Sequence, residues 1–179
     1  MSGNKIIAAF AGTGKTTLAM KYPDLLVDFV AMPYKYYLED TAFDSESCKA
    51  NLNNILQSDW PFNYIEAIKN ELVKGKTLLI PSDRNVLSLL ETEGLHYALC
   101  YPKRNSKEIY RKRYIDRGNT KEFLDVFIGR WDIFMDHLES DSWGQHFVLE
   151  PSEYLSDIIM KEILEKSEKN SFKISLKTY

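Results

Sequence analysis

Short apolar runs recur along the chain, separated by longer stretches whose apolar residues fall at helical spacing. The runs are 6–10, 25–30, 77–81, 96–101 and 145–149, with glycine, proline or a polar residue within three positions of each end. Their length and lack of alternation predict strands buried on both faces. Helical spacing appears after Thr16, where Pro23 stops it, and over Ile65, Ile68 and Leu72, which lead to Gly75. Asn63 and Glu66 give this helix the form of a capped start. Another helix runs through Val86, Leu89 and Leu90 to Gly94, and one capped by Ser106 passes Tyr110 and Tyr114 to Gly118. Thr120 opens a long helix carrying Phe123, Leu124, Phe127, Ile128, Trp131, Phe134, Met135 and Leu138. Ser152 caps a last one with Leu155, Ile158, Ile159 and Ile163. Residues 41–58 read as partly helical, from Leu52, Ile55 and Leu56. Strands that alternate with helices predict an α/β fold with a parallel sheet covered on both faces. Ligands in such folds bind beyond the carboxyl ends of the strands, here at 9–17, Asp28, Asp83, Tyr101-Pro102 and Glu150.

Composition narrows the class without changing the fold. A chain of 179 residues with 44% hydrophobic and 27% charged residues fits one domain, expected over 1–167, with a polar tail at 168–179 that is disordered or adds an edge strand. Net charge −3 gives no general electrostatic case for nucleic-acid binding. Cys48 and Cys100 are the only cysteines, and Cys100 lies in an apolar run, which favours free thiols in a reducing compartment. With no leader and no apolar run of membrane length, the expectation is a cytoplasmic protein, monomeric or homodimeric, with no membrane partner. His96, His137 and His146 show no metal-ligand spacing.

The chemistry concentrates where the first strand ends. Ala9-Phe10-Ala11-Gly12-Thr13-Gly14-Lys15-Thr16-Thr17 places two glycines, a lysine and two threonines between a strand and a helix. Glycines permit a tight loop whose N–H groups form an anion nest. The Lys15 ammonium then reaches the β/γ-phosphates and the Thr16 hydroxyl a magnesium ion. Ala9 stands where the first glycine of such a loop usually lies.

With Gly12-Thr13-Gly14-Lys15-Thr16-Thr17 in place, the chain resembles the P-loop nucleoside and nucleotide kinases of the adenylate-kinase-like type, and especially small phage members. Weaker points of likeness are Asp28, Trp60-Pro61-x-Asn63-Tyr64, and Tyr101-Pro102 through Arg111-x-Arg113-Tyr114-x-x-Arg117-Gly118. The resemblance implies a three-layer P-loop fold with five parallel strands in the order 2-3-1-4-5. It also implies a mobile basic lid at about 103–118 that brings Arg111, Arg113 and Arg117 to the transferring phosphate.

These residues define expectations. Ala11 to Thr17 bind ATP, with Arg111 assisting, while Lys15, Arg113 and Arg117 stabilise the charge of phosphoryl transfer. Asp28 interrupts an apolar strand and either serves a hydroxyl acceptor, as orienter or general base, or simply reaches solvent. Asp83 is a magnesium ligand through water, an N-cap, or both. Lys107, Lys112 and Arg104 belong to solvated surface, and Arg130 points inward or pairs with an acid. Among Tyr34, Tyr36, Tyr37, Trp60 and Tyr64, one or two rings meet a base. The expected function is transfer of the γ-phosphate of Mg²⁺-ATP to a nucleoside, nucleotide or hydroxylated base. The alternatives are a kinase acting on modified bases in DNA and a nucleotide-binding regulator without transfer.

Overall fold

The computed structural model describes residues 5–37 and 55–159. Five strands, β1 (Ile6–Ala9), β2 (Leu26–Asp28), β3 (Thr77–Pro81), β4 (Ala98–Pro102) and β5 (Gln145–Leu149), form one sheet in the order β2-β3-β1-β4-β5. Every pairing is parallel, as continuous apolar runs require when both faces are covered. Register sets Ala9 opposite Pro81 on one side and Cys100 on the other, so β1 and β3 finish level while β4 runs two residues further to Pro102.

Alternate residues of β1 serve opposite cores. Ile6 and Ala8, with Phe10 beyond them, face α3 (Phe62–Leu72), α4 (Arg84–Thr92), α5 (Lys107–Asp116) and α7 (Trp131–Glu139) through Ile65, Ile68, Val86, Leu90, Tyr110, Tyr114, Trp131 and Met135. Ile7 and Ala9 face Leu18 and Ala19 of α1 (Lys15–Lys21), and Leu155 and Ile159 of the final helical turns. Phe10 is 2% exposed, enclosed by Tyr110, Phe127, Trp131 and Phe134 at 5.6 to 6.3 Å between ring centroids. Its burial contributes about 1.5–3 kcal/mol and fixes the residue from which the glycine loop departs.

Several elements differ from the sequence reading. The helix expected from Thr120 breaks into α6 (Lys121–Phe127) and α7, with Gly129 between them. Thr120 does accept the Phe123 N–H, but glycine's cost in a helix and the seating of the Trp131 indole, which donates to the Arg104 carbonyl at 2.8 Å, favour the break. Arg130 is therefore an exposed turn residue at the start of α7, not an inward one. Asn63 lies inside α3, which starts after Pro61, and its amide donates to the Tyr34 carbonyl at 2.7 Å instead of capping. Ser106 precedes α5 without a side-chain cap bond, and helix resumes at 155, beyond Ser152. Ile55 and Leu56 are exposed and not helical, with Leu56 bridged antiparallel to Tyr36 just after α2 (Met32–Lys35); residues 41–54 of the 41–58 expectation, like the polar tail, lie outside the described residues.

Candidate functional site

The loop from β1 to α1 lies at the carboxyl end of the central strand. Gly12 and Gly14 both have positive φ, +78° and +96°. At Gly12 a side chain is doubly excluded, because a Cβ there would stand 2.7 Å from the Tyr114 ring. Among the described residues, the N–H groups of Gly12 through Thr17 donate to no carbonyl. The first backbone bond of the helix is from Leu18 to the Gly14 carbonyl, at 3.0 Å. The loop is nevertheless held firmly. Thr13 is wholly buried and its hydroxyl donates to the Phe10 carbonyl at 2.8 Å, while its own carbonyl accepts the Leu155 N–H at 2.9 Å. Tyr114 donates to the Ala11 carbonyl at 2.9 Å.

Lys15 folds back across this loop, donating to the carbonyls of Ala9 at 2.6 Å and Phe10 at 3.1 Å. Burial pushes its pKa down from 10.5 to about 8; Asp28 and Cys100 oppose the fall and Arg117 adds to it. Ala9 causes no strain, since it is a strand residue with 0% exposure and no residue other than glycine has positive φ among those described. The Thr16 hydroxyl donates to Asp28 Oδ2 at 2.5 Å. The hydroxyl is a hard oxygen donor of the kind a phosphate-bound magnesium ion takes, and the carboxylate beside it has the chemistry of a base toward an acceptor hydroxyl.

Asp83 has other partners. One oxygen accepts the Asn85 N–H at 3.0 Å as the cap of α4, and the other meets Lys35 Nζ at 2.7 Å. Of Asp28 and Asp83, the structure sets Asp28 against Thr16.

The basic segment 103–118 is docked rather than detached, because Tyr110 and Tyr114 on its inner face are both fully buried. Arg113 is a strut. Its Nη2 donates to the carbonyls of Pro151 and Glu153, at 2.9 and 3.3 Å, and its guanidinium is sandwiched between the rings of Tyr110 and Tyr154 at 4.7 and 4.0 Å. Arg111 pairs with Glu108, Lys103 with Glu150, Lys107 with Asp132, and Arg104 with Asp132, Asp136 and Glu139. Arg117 is exposed at the end of α5, has no ion pair among the described residues, and lies near enough to Lys15 to depress its pKa. Of the three arginines expected at the phosphate, Arg117 alone combines freedom with proximity to Lys15.

Sequence reasoning missed three residues. Tyr114 reads as core at helical spacing from Tyr110, yet its hydroxyl holds the loop. Tyr154 lies against Gly14, where a Cβ would be 3.4 Å from its ring, and Lys35 holds Asp83. No local signal marks either one.

Among the described residues no group of three or more His, Cys, Asp or Glu side chains is placed to hold a metal ion by itself, and no helix is long and apolar enough to cross a membrane. No protein-family model matches the chain, and no curated protein matches it.

Proposed function

We propose that this chain is an ATP-dependent phosphotransferase of the P-loop kinase kind. The observation that carries the reading is the combination at one strand end: backbone N–H groups that, among the described residues, donate to no carbonyl, a half-buried lysine among them, and a threonine hydroxyl on a carboxylate. Polyphosphate satisfies those donors, and Lys15 exchanges two carbonyls for phosphate oxygens. Thr16 is the residue suited to hold magnesium, which would supply neutralisation of phosphate charge when bound, and Asp28 beside it is the carboxylate suited to serve as base toward the acceptor. Arg117 adds positive charge from α5. The all-parallel order β2-β3-β1-β4-β5 with helices on both faces agrees with this class.

The test is Lys15→Ala, followed by calorimetry with Mg²⁺-ATP and by labelled phosphoryl transfer. Both signals vanish while the circular dichroism spectrum persists. Binding that survives in this variant refutes the reading. Two alternatives draw less support. A DNA acceptor leans on the basic stretch, where Lys103, Arg104, Lys107 and Arg111 are all paired with acids. A regulator without transfer leans on Ala9, which the strand accommodates.

A further inference from the structure

The kinase reading leaves the acceptor open, and the chain between β2 and β3 narrows it. Asp28 ends β2, and next to it Phe29 stacks on Tyr64 at 5.3 Å with the rings 11° apart. Tyr34 lies 5.6 Å from the first ring and 5.2 Å from the second, and Trp60 lies 5.6 Å from Tyr64. Phe29 and Tyr34 are half-buried, so this aromatic cluster has an open side. The Tyr64 hydroxyl donates to the carbonyl of Phe29, the residue that follows Asp28, which ties the cluster to the end of β2. Two buried polar atoms in the cluster have no partner among the described residues, the Trp60 indole N–H and the Asn63 amide oxygen. They are one donor and one acceptor, both neutral.

Positive charge is scarce here. No arginine occurs before Arg84, and residues 29–83 carry five lysines against eight acidic residues. Lys35 is bound to Asp83 and lies over the Trp60 ring at 5.1 Å. Lys69 pairs with Glu66 and Glu93, Lys74 pairs with Glu71, and Lys76 donates to the Pro23 carbonyl. The fifth, Lys49, lies outside the described residues. A phosphate monoester held at such a site needs forked or multiple cations, and each described lysine of this segment already has a partner.

We infer that the acceptor is an uncharged aromatic alcohol of nucleoside type, a base-like ring bearing a hydroxyl and no phosphate of its own. The rings of Phe29 and Tyr34 take its face, and Trp60 and Asn63 take its polar edge. The acceptor oxygen forms a bond to the γ-phosphorus of ATP as the bond from that phosphorus to the bridging oxygen breaks. ADP leaves with the electron pair, and the hydroxyl proton passes to the Asp28 carboxylate.

This inference rests on the kinase reading, and one experiment separates their failures. Labelled ATP is offered with natural and hydroxymethylated nucleosides, with the matching 5′-monophosphates, and with oligonucleotides containing the same bases. The nucleosides win by about tenfold or more in kcat/KM over their monophosphates, and Trp60→Phe raises the acceptor KM several-fold while the Kd of Mg²⁺-ATP stays unchanged. A monophosphate or oligonucleotide as the better acceptor overturns the inference and leaves the kinase reading standing. Transfer to none of them also overturns it. The kinase reading then falls too if Mg²⁺-ATP binding is absent, or is indifferent to Lys15→Ala.

Discussion

Raising the pH weakens nucleotide binding, and Lys15 sets the range in which it does so. In the free protein burial brings this ammonium down to about 8, against the pull of Asp28 and Cys100 and with the help of Arg117. Bound polyphosphate restores the proton, because several negative oxygens then face it. With a pKa of about 8, free Lys15 is charged in roughly three molecules of four at pH 7.5 and in about one of eleven at pH 9. Apparent affinity for Mg²⁺-ATP therefore falls about eightfold across that interval, close to 1.2 kcal/mol. Calorimetry in buffers of different ionisation enthalpy reads the same event as uptake of nearly one proton per nucleotide at pH 9. The stability of the free protein moves the other way. The unfolded lysine keeps its proton up to 10.5 and the folded one loses it near 8, so the unfolded state binds more protons between them and stability rises with pH through that window. A flat affinity profile without proton uptake, or the same profile in Lys15→Met, refutes the reasoning.

Three further perturbations are worked from the same geometry. Asp28→Asn removes the carboxylate that accepts the Thr16 hydroxyl, and phosphoryl transfer drops by about 10²–10⁴, measured by coupled ADP release; an unchanged rate excludes Asp28 as the base. Tyr114→Phe leaves the Ala11 carbonyl without its donor, which costs about 1 kcal/mol and lowers Tm by roughly 2–4 °C in a thermal melt. Ala9→Gly destabilises by about 0.5–1 kcal/mol in denaturant unfolding and does not tighten ATP binding, since Ala9 is a buried strand residue and not a loop residue in need of freedom.

The strands were legible because each is a short apolar run, and the glycine loop because its residue types have a local mechanism; the strand order, which no run of residues encodes, was only what the resemblance implied. Helix ends were harder to read. Asn63 has cap chemistry but spends it on the Tyr34 carbonyl, and Ser106 stands before its helix with no cap bond. The candidate site divided in the same way. Lys15 and Thr16 belong to one contiguous motif, whereas Asp28 meets Thr16 only because β2 lies two places from β1 across β3. Asp83 sits at an equally plausible strand end, yet Lys35, 48 positions away in sequence, occupies its second oxygen.

What the chain determined alone is whatever depends on neighbours in sequence: two-sided strands, a loop that bends at Gly12 and Gly14, and a lysine placed to reach back over it. What the tertiary structure decided is which charges remain free. Arg111, Arg113 and Arg117 share one helix and one residue type, and sequence spacing does not separate them. Glu108 neutralises the first, two carbonyls and two tyrosine rings hold the second, and the third stands at the helix end with its charge felt at Lys15. The reason is physical: an ion pair or a ring stack is made by groups within a few ångströms, and that proximity is a property of packing, which no single stretch of sequence contains.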